Sequence, residues 1–531
     1  MEVLVFAIVL TLLYLVCGAY HRLFLSPVAQ FPGPRLAALT FWYEFWYDVV
    51  KRGKYTWKIR ELHEKYGPVV RINPYELHIS DATFYNNLYV GPSVRKTNKW
   101  PWSARMFGTT FAAVGTADHD VHHMRRAALN PFFSRQNMVA LQPDISRHVD
   151  KLLSRLQEHR GTGRPVNLVD AFTALTADII GSLAFGQEYG FLDKEQFHPE
   201  WHVFMMELSR STHLMKQFPW LYQLLEVVPR RMVSWVHPLT RRLFALQDDI
   251  VEAIDHAKQS QSAETTMKQK SSDGPGQEDH KMRRTTLLSA LLSTSHLPDA
   301  EKLTPRLLDE ALTLLGAGTV TTAWTLSVTC FHVLSNAHVL ERLRSELKSL
   351  PKSEASNLRP SYTDLAKLPY LNAVIDEGLR LSHGTAHRLP RILPDSSLRF
   401  GDWDIPPGTP VSMTQMDVHL DPNIFPCSDS FLPERWLPEG GSEEERRERR
   451  KYLAPFGKGS RACVGRELAF VEIVLGIVAI FGDGIGFDGE EGNEGLEMEL
   501  YETTERDVQV EMDWFNPVPY EGSKGVRVLV R

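Results

Sequence analysis

Phe456-Gly457-Lys458-Gly459-Ser460-Arg461-Ala462-Cys463-Val464-Gly465 is the stretch on which the fold turns. It holds one cysteine inside a glycine-rich loop, with an arginine two residues before it and an apolar, helix-like run after it. Gly459 and Gly465 lack a Cβ, so the backbone can turn sharply and approach a planar ligand closely. Arg461 is a permanent cation whose planar fork suits a carboxylate. Phe456 is placed to pack beside the sulfur and keep water from it. A helix starting after Cys463 aims free amides and its positive dipole end at the thiol, which favours the thiolate. The loop therefore reads as a thiolate held beneath a flat anionic ligand. The competing reading is an ordinary buried cysteine in a glycine turn. The other cysteines, Cys17, Cys330 and Cys427, are too scattered for a disulfide framework or a zinc site. Cys17 and Cys330 read as inert fillers of apolar segments.

Outward from the loop, other segments carry their own physical signals. Thr304-Pro305 suits a helix start, with threonine as N-cap and proline at the first helical position. The apolar-periodic run that follows reaches about Val333. Leu315-Gly316-Ala317-Gly318-Thr319-Val320-Thr321-Thr322 lies inside it, and such glycines and threonines can open a helix's hydrogen-bond ladder. The plainer alternative is that the threonine hydroxyls bond back to the helix. Glu377 and Arg380 stand three residues apart, on one helix face. The run Glu443 to Arg450 reads as a solvated charged face. His119 and His123 have helical metal-ligand spacing but no further ligands beside them.

At the N-terminus, Val3 to Tyr20 carries no charge over 18 residues, near the lower limit for a membrane span. Only Glu2 precedes it, which disfavours a cleaved signal peptide. His21, Arg22 and Arg35 follow it, which places the bulk of the chain in the cytosol. We assign residues 1–22 to an anchor and 23–35 to a linker containing Gln30-Phe31-Pro32-Gly33-Pro34. The polar stretch 258–282 and the glycine- and acid-rich stretch 482–495 read as flexible loops. Residues 36–66 and 120–255 look mainly helical. The length of 531 residues alone suggests about three domains. A hydrophobic content of 43 %, a charged content of 23 % and a net charge of −6 are those of a globular protein, with no whole-chain reason to bind nucleic acid.

The F-x-x-G-x-R-x-C-x-G pattern closely resembles the heme loop of the cytochrome P-450 superfamily. The resemblance runs from the proline hinge through His419-Leu420-Asp421-Pro422 to Pro517-Val518-Pro519, essentially the whole chain. It replaces three domains with one heme-thiolate domain over 36–531, mainly α with small β-sheets, behind an N-terminal anchor helix. It implies heme b, with Cys463 as axial ligand to the iron, an arrangement that favours O–O bond cleavage. Arg461, Phe456, Gly459 and Gly465 then contact the cofactor. Arg125 matches the arginine of the family's W-x-x-x-R helix, with Val121 in the tryptophan position. Arg391 matches a second propionate-binding arginine, with Arg388 as fallback. Gly318 and Thr321 match the oxygen-side glycine and the proton-relaying threonine, while the usual acid is Val320. Glu377, Arg380 and, from Phe431-Leu432-Pro433-Glu434-Arg435-Trp436, Arg435 match a structural triad that braces the heme loop.

The resemblance implies a monooxygenase that inserts one oxygen atom from O2 into an apolar small molecule. Electrons would come from NADPH through the flavins of NADPH-cytochrome P-450 reductase, with cytochrome b5 as an accessory donor. Lys458 and the 446–451 cluster are candidate reductase contacts. The location implied is the endoplasmic reticulum membrane, single-pass, with the catalytic domain facing the cytosol. Trp102, Met106, Phe107, Phe111, Met205, Met206 and Phe218 are candidate pocket-lining residues, with core packing as their alternative. The phrasing Arg125 to Ser134 and Gly316 to Thr322 resembles fungal secondary-metabolism members, including trichodiene-oxygenase-like enzymes, and suggests a terpenoid or polyketide intermediate. Val320 keeps open an isomerase or dehydratase of the same fold acting without O2, and a non-catalytic heme carrier is the third possibility.

Overall fold

The computed structural model describes residues 1–236, 238–270, 286–350, 360–482 and 496–531. Most of them are helical, with four small sheets, which is the expected fold class. The helix Glu2–Tyr20 continues through a wider turn to Leu25, and none of these residues is buried. It is long and apolar enough to cross a membrane. The body grips its end: Arg71 donates to the Arg22 carbonyl at 2.8 Å, and the Arg22 guanidinium bonds the Leu39 carbonyl.

The interior is built around the helix Thr304–Ser335, which packs against Leu168–Ile180, Pro369–Ser382 and Arg466–Phe481. Leu168–Ile180 is buried over nearly its whole surface and is uniformly apolar apart from its threonines and aspartates. Such a helix finds its place only inside a large core. One of those threonines ties the pair together, Thr176 Oγ1 donating to the Thr319 carbonyl at 2.8 Å.

The start of the central helix differs from expectation in one detail. Pro305 occupies the first turn, but Thr304 makes no capping bond. Its hydroxyl instead accepts from Lys258 Nζ at 2.7 Å. Lys258 belongs to the helix Pro238–Lys270, so the loop expected over 258–282 begins no earlier than residue 271. Ile250, Ala253 and Ile254 bury that helix's apolar face. The Lys, Gln, Ala and Glu residues beyond them are good helix formers that carry it onward. Residues 271–282, and 483–495 of the stretch 482–495, lie outside the described residues.

A five-stranded sheet runs Val69–Arg71, Leu77–Ile79, Pro410–Ser412, Arg391–Ile392, Asn98–Lys99, with one parallel pair at its centre. Its edge brings Lys99 and Arg391 side by side in register. The hairpin Met512–Trp514/Asn516–Val518 and the helix Pro199–Gln217 close over this end.

Where these pieces meet, the core contains a buried ionic node. Arg388 bonds Glu44 at 2.7 Å and Glu76 at 3.0 Å, and Lys216 bonds Glu44 at 2.6 Å and Asp48 at 3.2 Å. Burial opposes ionisation of Glu44, but Arg388 and Lys216 outweigh it and hold the carboxyl well below the usual range. His387 and Thr56 bond the Asp513 carboxylate at 2.8 and 2.9 Å, and His213 reaches its carbonyl at 2.6 Å. Ligand atoms of His213, His387 and Asp513 lie within 4.8 Å of one another. The Lys216 ammonium, 3.4 Å from His387 Nε2, makes the trio part of the ion-pair node rather than a cation site. The node ties the N-terminal segment, the Pro199–Gln217 helix, the loop before Arg391 and the C-terminal hairpin into one unit.

Removing one member of a buried pair strands its partner's charge. Arg388→Met is expected to lower the unfolding free energy by about 3–5 kcal/mol, read as an earlier denaturant midpoint with an unchanged slope. The carboxyls of Glu44 and Asp513 are held low, so their contribution to the node is present at neutral pH. It falls away in acid, below the ordinary carboxylate range.

Candidate functional site

The cysteine loop is shaped by its own backbone. Cys463 N–H donates to the Phe456 carbonyl at 2.8 Å, closing the turn. Gly459 has φ +72°, and a Cβ there would meet the Val90 carbonyl oxygen at 2.4 Å, so no other residue fits. At Gly465 a Cβ would meet nothing within 4 Å, so one side of the loop is open. The helix Arg466–Phe481 starts immediately after, with Gly465 as its N-cap. Phe456 lies against Phe470 of that helix, ring centroids 5.3 Å apart.

Cys463 lies deep in the protein, yet its surface is accessible. The thiol therefore faces an internal cleft rather than the packed core. Burial pushes its pKa up, opposed by the Gly465 amide and by the charges of Arg126 and Arg466. By contrast, the fully buried Cys330, which has no such partners, is pushed far higher.

Positive charge gathers beside this loop. Arg461 donates to the Thr116, Ala117 and Asp118 carbonyls, and its buried Nε has no partner. Burial and neighbouring Arg391 bring its pKa down to about 9. Lys99 falls to about 7 through burial and repulsion by Arg391 and Arg461. His122 is driven far below the usual imidazole range by burial, then Arg461, Arg126, Lys99 and Arg391. Arg391 is buried over the Tyr89 ring at 5.1 Å and bonds carbonyl oxygens only. Buried cations this close together favour an anion among them. The orphaned Arg461 nitrogen, the open side at Gly465 and the accessible thiol together fit a flat dianionic cofactor.

The helix His119–Leu129 corrects one expectation. Arg125 does not join the cluster: it forms a fork with Glu301 at 2.8 and 2.9 Å and donates to Thr116 Oγ1 at 2.7 Å. Its neighbour Arg126 reaches the cysteine loop instead, donating to the Ala462 and Cys463 carbonyls at 2.6 and 3.2 Å. Four residues before Arg126, on the same helix face, stands His122. Val121 is 38 % exposed and faces out. The arginine–aromatic pair is thus His122 and Arg126, one residue later than the pattern suggested. Lys99 was missed altogether, because nothing in its local sequence distinguishes it from a surface lysine. Arg388, the fallback, belongs to the ionic node.

Glu377, Arg380 and Arg435 do come together. Glu377 takes a fork from Arg380 at 2.8 and 3.0 Å and a bond from Arg435 at 2.9 Å, all three buried. Trp436 Nε1 and the Leu432 amide complete its shell at 3.0 Å each. The two arginines pass this order to the preceding meander through the carbonyls of His419, Ser430, Pro426 and Cys427.

On the central helix the ladder is unbroken, and the threonines bond back to it. Thr321 Oγ1 donates to Ala317 O at 2.8 Å, and Thr319 Oγ1 to Leu315 O at 2.6 Å. Ala317 is exposed and Thr321 half-buried on an otherwise interior helix, so this face opens on the cleft. Gly318 is turned to Ile180, 3.3 Å from the position of a Cβ, whereas Gly316 has free space. The glycine that widens this face is Gly316, and Gly318 serves helix packing. Among the aromatic candidates, Phe107 meets Phe515 edge to face at 4.7 Å. Trp102 stacks on Phe41, Phe218 packs on Phe45, Met106 and Met205 are buried, Met206 is partly buried and Phe111 is exposed.

Residues 32–482 match the family model described as cytochrome P450. Among curated relatives, the cytochrome P450 monooxygenase tpcC of Cochliobolus heterostrophus is 41 % identical over 520 residues, 96 % of this chain and 94 % of the relative. The tryptophan 6-hydroxylase fscE of Fusarium equiseti is 40 % identical over 97 % of this chain and 94 % of its own length. The fusicoccadiene C-8 hydroxylase of Phomopsis amygdali is 38 % identical, over 96 % and 93 %. With a cysteine loop, an arginine-braced meander and near full-length kinship to fungal monooxygenases, the chain belongs to the cytochrome P450 family.

Proposed function

We propose that this monooxygenase holds heme b on Cys463 and hydroxylates an apolar terpenoid or polyketide intermediate of fungal secondary metabolism. The observation that carries the cofactor assignment is the uncompensated cation cluster beside an accessible, deeply placed thiol. When bound, heme supplies the activation of dioxygen. The chain's own residues do the rest. Arg461, Arg391, Arg126 and Lys99 would take the cofactor's carboxylates, which would offset the repulsion of Lys99 by Arg391 and Arg461. The Gly465 amide and the Arg126 charge favour the thiolate form of Cys463. Phe456, with Phe470, keeps water from the sulfur.

On the opposite face, Thr321 spends its hydroxyl proton on Ala317 and keeps its acceptor lone pairs for a proton-bearing partner. Phe107 and Phe515 form an aromatic wall suited to an apolar substrate. Support for hydroxylation of a carbon skeleton comes from relatives that hydroxylate tryptophan and fusicoccadiene. The exposed N-terminal helix anchors the enzyme in the endoplasmic reticulum membrane, with the body on the cytosolic side. NADPH-cytochrome P450 reductase, assisted by cytochrome b5, docks near Lys458 and the exposed helix Glu443–Arg450.

The reduced protein is expected to give a thiolate-type carbon monoxide difference spectrum, which Cys463→Ala abolishes. A histidine-type band in the wild type, or an unchanged Cys463→Ala spectrum, sinks the assignment. Product formation by purified protein without NADPH and reductase would return the chemistry to an isomerase or dehydratase.

Two neighbouring arginines separate cofactor binding from stability. Arg126→Gln is expected to lower heme retained per protein several-fold. Arg125→Gln instead leaves Glu301 with Arg306 as its remaining partner and lowers thermal stability at near-normal heme content. Equal heme loss in both variants would reject the Arg126 assignment. For the oxygen face, Thr321→Ala is expected to raise peroxide released per NADPH consumed, and unchanged coupling would show that protons take another path.

A further inference from the structure

The loop 100–117 leaves the five-stranded sheet at Lys99 and returns to it. Lys99 N–H donates to the Ala117 carbonyl at 2.9 Å, so the backbone of one residue closes the neck of the loop. The Lys99 side chain is buried and turns back into the loop it begins. Its ammonium donates to the Val114 carbonyl at 2.8 Å, on the returning limb. On the outgoing limb it stands over the Phe107 ring, 5.5 Å from the centroid, within reach of a cation–π contact. Phe107 is the ring that meets Phe515 edge to face at 4.7 Å. One ammonium thus joins both limbs of the loop, and the ring beneath it belongs to the aromatic wall.

The rest of the loop is held without that ammonium. Its amides face acids of the central helix, Phe111 N–H donating to Asp309 at 2.9 Å and Ala113 N–H to Glu310 at 3.1 Å. Thr313 of the same helix donates to the Thr109 hydroxyl at 3.0 Å. Near the neck, Arg461 donates to the Thr116, Ala117 and Asp118 carbonyls. Tyr222 donates to the Met106 carbonyl at 3.4 Å, which steadies the backbone beside Phe107 but not its ring. Burial acts against the Lys99 ammonium, as do the charges of Arg391, beside it in the sheet, and Arg461. An anion in the cluster would offset those charges and keep the amine protonated.

We infer that Lys99 is a positioning residue for the substrate: from within the cofactor-facing cluster, its ammonium sets the Phe107 ring against Phe515 and so shapes the aromatic wall. This rests on the reading that the cluster takes the cofactor's carboxylates and that the wall faces the substrate. Without the ammonium, Val114 loses a donor and Phe107 loses its cation, so the ring is free to leave Phe515. The loop itself stays tied to the central helix and to Arg461.

The holoenzyme tests this with two iron ligands as probes, imidazole and phenylimidazole. The second carries a ring that extends into the cleft, and the first does not. Dissociation constants are read from the Soret shift per heme-loaded molecule. Lys99→Met should cut the preference for phenylimidazole roughly ten-fold. Phe107→Leu should cut it by a similar factor, and the double variant no further, because Lys99 acts through that ring. Hydrogen exchange in Lys99→Met should quicken several-fold over residues 105–108 and stay slow over 109–113. An unchanged preference in Lys99→Met, or a double variant whose loss is the product of the two single losses, overturns the proposal. Equal quickening across 100–117 would make Lys99 a general closure of the loop and overturn it too. Should Lys99→Met retain no heme, the exchange contrast between 105–108 and 109–113 decides alone. A wild type without the thiolate-type carbon monoxide band would sink the heme reading instead, and the same contrast would still report on Lys99.

Discussion

The constraint on which the site depends is the gathering of cations around one cysteine loop. Lys99, His122, Arg391 and Arg461 converge from a sheet edge, a helix and the loop itself, and burial together with Arg391 lowers the tendency of Lys99, His122 and Arg461 to stay charged. A protein does not bury such a set without something to neutralise it. Asp118 favours the charged form of Arg461 against burial and Arg391, while Glu301, Glu44 and Glu76 are committed to other arginines. The missing negative charge must come from a ligand, and the cysteine beside the cluster says which kind.

The remaining architecture holds that cluster in place. Asn98–Lys99 pairs with Arg391–Ile392, so one strand register sets two of the cations. The Glu377 hub orders the meander that leads into the cysteine loop, and its two arginines reach five different carbonyls there. The ionic node around Glu44 and Arg388 fixes the same sheet from the other end. These are buried charges that meet opposite charges, unlike the cations of the cluster. The contrast separates residues that hold the structure from residues that wait for a ligand.

Much of this was legible in the sequence where spacing alone decides the outcome. Glu377 and Arg380 at i and i+3 must share a face, and the glycines of the cysteine loop must turn. The reading failed where a single residue of register decides it. Arg125 and Arg126 are adjacent cations in one helix, and both are flanked by plausible partners four residues back. Only the packing of that helix, with His122 inward and Val121 outward, tells them apart. Glu44, Asp48, Lys216 and Asp513 were invisible for a different reason. They come from three distant segments, and each alone resembles a surface charge. Residues 258–270 of the expected loop are helix for a third reason, since their polar composition without proline describes a solvated helix as well as a coil.

Val121 and Val320 first look like two losses from one family pattern, but the structure gives them different meanings. At position 121 nothing is missing, because the paired positions are 122 and 126. At position 320 the acid is truly absent from the central helix, and Val320 is buried in the core. An acid there would add a charge to a helix whose threonines already donate to their own carbonyls. Glu472, on the helix that follows the cysteine loop, is buried with its Oε1 unpartnered, whereas Glu377 is braced by Arg380 and Arg435 and holds the meander in place.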